Sequence, residues 1–250
     1  MIGIDDLFRL LYSSFVLKGT LFVQPHSDDM VMSSYFLIKT QILPRPYYLL
    51  TIFSKSSWLD PIRRKRFCLA NSERSVTRLR IAEDEEFARL FQLTPYFFGF
   101  KDCLLRNGKT YFRPQTGIER NLINKVSNSI TAFIKKHNIQ NIVIHFQSGT
   151  RRHQDHYIVH QAVELIKLPI RVYFVDDIPY SRVLNLKKHN LKIFKRVKIK
   201  NIQEKFRAMG LYKSQMCDLF FNRVQKITEQ NQGYERIFTL KKRQKMICRR

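Results

Sequence analysis

The sequence predicts a single α/β domain: a mostly parallel sheet with helices on both faces. Three observations predict it. From residue 20 onward, short apolar runs of strand length alternate with longer segments of helical period, the pattern of a parallel sheet covered by its own crossover connections. The 250 residues, 44% hydrophobic with 20 Phe and 11 Tyr, are enough to fill one core of that kind. Two clusters of His and Asp each follow an apolar run, and ligands of open α/β sheets bind at the carboxyl ends of strands. The arrangement is Rossmann-like.

Element by element, Thr20–Gln24 reads as a buried strand and Met30–Lys39 as the helix behind it. Tyr47–Phe53 is a second strand, and the polar, basic stretch Ser54–Ser75 an irregular loop at the edge of the site. Arg78–Leu93 is a helix, because Leu79, Ala82, Phe87, Leu90 and Phe91 fall near one face with charges opposite. Tyr96–Phe100 is a short aromatic strand, and Asn107-Gly108-Lys109 a turn. The helix from Ile118 to Lys135 keeps its apolar residues at helical spacing, and Asn141–Phe146, His153–Ile166 and Ile170–Val175 continue as strand, helix and strand. Lys192–Lys200 is a peripheral strand, Ile202–Asn222 is helical with a break at Gly210, and Tyr234–Leu240 is a final strand. Residues 1–18 form an amphipathic helix packed at the terminus, and residues 241–250 a basic tail.

Composition narrows the function. A formal charge of +25 implies attraction to polyanions: nucleic acid, anionic lipid or phosphorylated substrates. The plainer reading is a solvated basic surface. Sequence-specific nucleic-acid binding is disfavoured, since no helix-turn-helix, zinc-finger or RNA-binding signature occurs. The four cysteines (Cys68, Cys103, Cys217, Cys248) form no C-x-x-C pair, which fits a reducing compartment. With no secretory pattern and no run of about 18 apolar residues, the expected location is cytoplasmic, with the basic charge leaving peripheral association at the inner membrane face open.

The two clusters are Pro25-His26-Ser27-Asp28-Asp29 and His153-Gln154-Asp155-His156. Either one alone reads most simply as a helix start, the first with Ser or Asp as cap and the second as a solvated turn. Together, each at a strand end, they have the donors for a divalent metal with a carboxylate beside it. His156 and His160 stand at i, i+4, but no Glu follows His156 as the H-E-x-x-H pattern requires. His160, His137, His145 and His189 are therefore read as packing or surface residues.

These residues resemble the LmbE/PIG-L-like family of zinc-dependent N-deacetylases, whose motifs P-H-x-D-D and H-x-D-H they match. Weaker likenesses follow in the right order: Arg80-x-x-Glu83-Asp84 with Phe87-Ala88, Gly99-Phe100-x-Asp102 with Arg106, Asp176-Asp177-Ile178-Pro179-Tyr180, and Lys205 with Tyr212-x-Ser214-Gln215. The last three are similar to segments of the branch associated with glycan biosynthesis, and the likeness spans about residues 20 to 240.

The resemblance implies that His26, Asp29 and His156 hold Zn2+ or another divalent metal. It implies that Asp28 is the general base for metal-bound water. His153 would stabilise the oxyanion or protonate the leaving amine, and Asp155 would orient an imidazole. The implied reaction removes an N-acetyl group from an amino sugar or glycan precursor, free or linked to a phosphate or lipid carrier. Ser27 and Met30 depart from the Pro and Glu of many members, and neither departure removes an implied ligand or the base. The alternative is a catalytically altered member that binds a polyanion or a membrane surface.

Overall fold

The computed structural model describes residues 19–66, 72–108, 111–112, 117–147, 152–180, 184 and 186–241. The helix expected over residues 1–18 lies outside them, as does the expected basic tail beyond residue 241.

The described residues form a seven-stranded sheet in the order β3-β2-β1-β5-β7-β9-β8. Its strands are β1 (Gly19–Gln24), β2 (Tyr47–Thr51), β3 (Leu93–Phe97), β5 (Ile139–Phe146), β7 (Arg171–Asp176), β8 (Leu191–Lys198) and β9 (Tyr234–Leu240). The first five are mutually parallel, while β9 runs antiparallel to both β7 and β8. The helices are α1 (Asp29–Lys39), α2 (Pro61–Arg66), α3 (Glu73–Phe91), α4 (Cys103–Asn107), α5 (Gly117–Lys136), α6 (Gln154–Glu164), α7 (Ile202–Met209) and α8 (Asp218–Gln230). A small ribbon pairs β4 (Tyr111–Phe112) with β6 (Arg152–His153).

Strand residues alternate between two cores. Phe22, Val143, Tyr173, Val175 and Ile237 pack with residues of α1, α3, α7 and α8. Their neighbours Leu21, Val23, Ile142, Ile144, Phe174 and Phe238 pack on the other side with residues of α5 and α6. The period of two in each strand thus serves two helical layers. This is the Rossmann-like single domain the alternation predicted, and the strand order reverses between β1 and β5.

Several boundaries differ from expectation for local reasons. The third strand begins at Leu93, not Tyr96, because Gln92 takes a left-handed conformation (φ 54°) and ends α3 at once. Leu93–Phe97 then pairs in register with Tyr47–Thr51, and Pro95 is tolerated because β3 is an edge strand. The stretch expected to be irregular from Ser54 to Ser75 contains α2, with Pro61 at its first position, and the start of α3, where Ser72 caps Ser75 N–H. The helical segment after Ile202 is two helices: α7 stops at Gly210, and α8 runs on to Gln230.

One buried ion pair ties the antiparallel end of the sheet to α1. That helix breaks its regular geometry at Ser34 (φ −138°). The N–H groups of Phe36 and Leu37 donate instead to Glu235 Oε2, at 2.8 and 3.0 Å. Glu235 Oε1 meets Lys205 Nζ at 2.7 Å, and Lys205 is fully buried. Removing one partner of such a pair strands a charge in the interior. Lys205→Met is expected to cost about 3–5 kcal/mol in urea unfolding. Adding Glu235→Gln should recover part of that loss, since a neutral amide oxygen still accepts from the two N–H groups.

Candidate functional site

The site sits where the strand order reverses, at the carboxyl ends of β1, β5 and β7. Gln24, the last residue of β1, does the work a helix cap would do: its side-chain oxygen accepts the Met30 N–H at 3.1 Å. Asp28 occupies the cap position of α1 but makes no capping bond, so its carboxylate is spared for the pocket. Its backbone is left-handed (φ 104°), a conformation that costs a non-glycine residue about 1–3 kcal/mol. Asp29 turns the other way and accepts the His26 N–H at 2.8 Å. The adjacent aspartates therefore face different surroundings. The helix-cap reading of Ser27-Asp28-Asp29 does not hold.

His153 ends the β4–β6 ribbon and precedes α6, whose first turn carries Asp155 and His156. The polar side chains of both clusters are buried together with Asp177, which follows β7. His26 Nδ1 lies 3.4 Å from Asp29 Oδ2, and His156 Nε2 lies 3.4 Å from Asp29 Oδ1. The opposite nitrogens are tied more closely: His26 Nε2 is 2.8 Å from Asp155 Oδ2, and His156 Nδ1 is 2.7 Å from Asp177 Oδ1.

These two kinds of distance separate ligand pairs from hydrogen bonds. Donor atoms about 2.0–2.1 Å from a tetrahedral zinc stand about 3.3–3.4 Å apart. Contacts of 2.7–2.8 Å are charge-assisted hydrogen bonds. Asp29 thus stands at ligand-pair distance from both imidazoles, through a different oxygen for each, while Asp155 and Asp177 each fix one imidazole and turn its second nitrogen inward. His156 Nε2 is buried with no hydrogen-bond partner among the described residues. A buried ring nitrogen that faces a carboxylate without a hydrogen bond is a position a cation can occupy, so the donor set fits a divalent cation.

His26, His153 and His156 also bring ring nitrogens within 4.8 Å of one another, so His153 borders the same centre. The groupings Cys103/His153/Asp155 and His145/His156/Asp177 satisfy the same separation. They are less suited to metal, because both oxygens of Asp155 and the Asp177 oxygen on His156 are already engaged.

Electrostatics agree with a centre built for positive charge. Burial would lower His26, but its hydrogen bonds to Asp155 and Asp29 raise it to about 9. Burial is likewise overcome at His156, which Asp29 and Asp177 raise well above 6.5. Asp29 would rise on burial, but His156 and His26 hold it well below the usual range. Asp28 has less compensation: burial and the Asp29 charge push it well above an ordinary carboxyl. Burial, with His26 and His156 adding, drives His153 well below 6.5, so it is neutral.

A family described as PIG-L, GlcNAc-PI de-N-acetylase, matches residues 21–167, more than half the chain. The chain belongs to the PIG-L (LmbE-like) deacetylase family. The 2'-N-acetylparomamine deacetylase of Streptomyces fradiae is 29% identical over 228 residues, spanning 86% of this chain and 79% of that protein. The zinc-inhibited form of teicoplanin deacetylase superposes with a TM-score of 0.67 at 17% identity, covering 89% of this chain and 97% of its own. GalB, the 4-carboxy-2-hydroxymuconate hydratase of Pseudomonas putida KT2440, shares the fold at a TM-score of 0.54 and 14% identity, with 86% of each chain covered. A hydratase on this fold means the reaction must be argued from the site.

Within this PIG-L domain, α3 holds the site from beneath. Arg80 donates to Ser56 Oγ at 3.0 Å and to Ser27 O at 3.1 Å, and stands 3.7 Å from Asp28 Oδ1. Asp84 accepts from Gln24, Thr51 and Tyr212. Glu83 accepts from the Ser214 N–H at 2.7 Å and its hydroxyl at 2.6 Å. Three side chains on one helical face thus fix β1, β2, the Asp28 loop and the segment before α8.

Sequence reasoning gave Asp177, Arg106 and Arg80 no role at the site. Arg106 meets Asp155 Oδ1 at 2.7 Å and lies over Phe53. The signal was their place in the weaker motifs of the resemblance. His145, read as a packing or surface residue, is buried against the centre: its Nε2 is 3.3 Å from Asp29 O, and its ring centroid 5.7 Å from that of His156. His160 packs on Phe146 and Phe174, as read.

Glu83 yields a pH test. Burial raises its carboxyl from 4.5 to about 7, so between those values the folded chain holds a proton that the unfolded chain releases. Its contribution is full below pH 4.5 and is lost as pH rises through about 7. Unfolding free energies from urea titration should therefore fall from pH 5 to pH 8 by up to about 3 kcal/mol, and Glu83→Gln should flatten that slope.

Proposed function

We propose that this chain is a metal-dependent hydrolase that removes an N-acetyl group from an amino sugar or glycan precursor. The observation that carries this reading is the burial of His26 and His156 on either side of Asp29, with each imidazole's outer nitrogen held by a carboxylate. Two comparisons support it: the relative in Streptomyces fradiae is named for 2'-N-acetylparomamine, and the family for a GlcNAc conjugate. In this reading His26, Asp29 and His156 hold Zn2+ or a similar divalent cation. When bound there, the cation supplies Lewis acidity, making water nucleophilic near neutral pH and polarising an amide carbonyl.

The chain's own residues do the rest. The pocket encloses about 250 Å³ and is lined by His26, Asp28 and His153 at its floor, with Trp58, Tyr180 and Phe220 among its walls. That is just below the range of about 300–1,000 Å³ for drug-sized ligands, the scale of one sugar ring. Asp28, its carboxyl lifted by burial, takes the proton of the attacking water and returns it to the nitrogen as the C–N bond breaks. Neutral His153 donates a hydrogen bond to the oxygen that becomes anionic. Asp155, braced by Arg106 and the Cys103 N–H, keeps His26 in one orientation. Acetate and a free amine are the products.

A substrate linked to a phosphate or lipid carrier suits a chain of net charge +25, acting in the cytoplasm or at the inner membrane face. The alternative of a catalytically altered binding protein has less support, because a pure binder does not require this arrangement of six buried polar residues.

Metal content and acetate release test the reading together. Asp29→Ala and His156→Ala should lose the metal. Asp28→Asn should keep it while acetate release from N-acetylglucosamine conjugates falls about 10²- to 10⁴-fold; parental activity in that variant would refute the assigned base. Asp177→Asn should weaken metal affinity about 10- to 100-fold, read by chelator competition.

A further inference from the structure

Two segments beside the pocket carry exposed apolar and cationic side chains that neither catalysis nor folding uses. Ile62 in α2 is 72% exposed, and Leu219 at the start of α8 is 59% exposed. Single exposed hydrophobics are ordinary, but these two stand on segments that both reach one pocket. Leu219 and Trp58 line the same pocket, and Ile62 follows Trp58 by four residues. Their segments are bound together: Asp60 N–H donates to Ser214 O at 3.0 Å, and Gln215 Nε2 to Trp58 O at 3.5 Å.

Cations stand on the same segments. Arg64 and Lys65 follow Ile62 on α2, Lys213 precedes Ser214, and Arg223 stands one turn after Leu219 on α8; all four are exposed. Among the described residues none of the four is in an ion pair, and Arg223 is held only by the Pro179 carbonyl at 3.2 Å. One exposed acid, Asp218, lies among them. Exposed aliphatic side chains accompanied by unpaired cations match a bilayer surface with anionic headgroups: the chains enter the interfacial zone while the cations meet phosphate.

We infer that the pocket mouth docks on an anionic lipid surface, through Ile62 and Leu219 with Arg64, Lys65, Lys213 and Arg223 around them. The docked orientation turns the opening toward the headgroups. Recruitment of a lipid-linked amino sugar from that surface rests on the deacetylase reading; docking itself does not.

Sedimentation of the metal-loaded protein with vesicles tests the docking without substrate. Vesicles of phosphatidylcholine mixed with phosphatidylglycerol should bind the protein, and phosphatidylcholine alone should not. Arg64→Gln with Lys65→Gln should weaken binding about 30-fold, and Ile62→Asp about tenfold. The same loss from Lys192→Gln with Lys195→Gln, on edge strand β8, would overturn the inference, because bulk charge alone would then explain attraction. So would equal binding to both vesicle types, or unchanged binding of the Ile62 variant. Acetate release from a soluble N-acetylated amino sugar should stay at the parental rate in the Ile62, Arg64 and Lys65 variants. Failure of docking and failure of the deacetylase reading therefore give different results.

Discussion

Four carboxylates packed into one water-poor cleft are the constraint on which the rest of this structure depends. Asp28, Asp29, Asp155 and Asp177 are each at most 6% exposed, and an uncompensated buried carboxylate costs several kcal/mol. The fold answers with directed positive charge. Arg106 and His26 take Asp155, His156 lies between Asp177 and Asp29, and Arg80 stands off Asp28. Protons on His26 and His156 complete the balance in the metal-free chain. A divalent cation between Asp29 and those imidazoles would do the same with fewer protons.

That balance holds only if the loops cannot relax, which gives α3 its composition. A helix of this length needs one apolar face for the core, and Val76, Phe87 and Ala88 provide it. Arg80, Glu83 and Asp84 are buried on the same element, an expensive placement for surface-type residues. Each is satisfied by a different strand or loop of the site, and full satisfaction makes a buried polar network specify one arrangement. At the other end of the domain, Lys205 and Glu235 do for the kinked α1 what α3 does for the centre.

Much of this was legible in the sequence because periodicity and strand-end chemistry are local. The alternation of Leu21, Phe22 and Val23 between two cores, and the placing of His26 and His156 at strand ends, follow from patterns a few residues long. What escaped was set by single backbone choices or by distant partners. Gln92 taking a left-handed cap moved β3 by three residues. Pro61 and Ser72 started helices inside a stretch whose composition reads as loop. Asp177 and His145 belong to the centre only because β5 lies beside β1 and β7 beside β5, adjacencies no local window contains. Arg106 is similar: nothing near it in sequence signals a carboxylate 49 positions away.

The strained backbone at Asp28 shows how the pieces constrain one another. A left-handed residue at the head of a helix would usually be glycine or asparagine, and glycine there would remove the steric cost. Aspartate is kept where its side chain makes no cap, so the strain is offset by something other than helix stability. The capping function has moved to Gln24, whose amide also ties α1 to Thr51 and Asp84. Arg80 grips the Ser27 carbonyl immediately before the strained residue. The turn is thus over-determined from both sides, and what it delivers is one carboxylate lining the pocket while its neighbour faces His26 and His156. A hydratase can share the sheet and helices; the separation of two adjacent aspartates into one that faces the imidazoles and one that faces the cavity is the local feature on which the proposed amide cleavage rests.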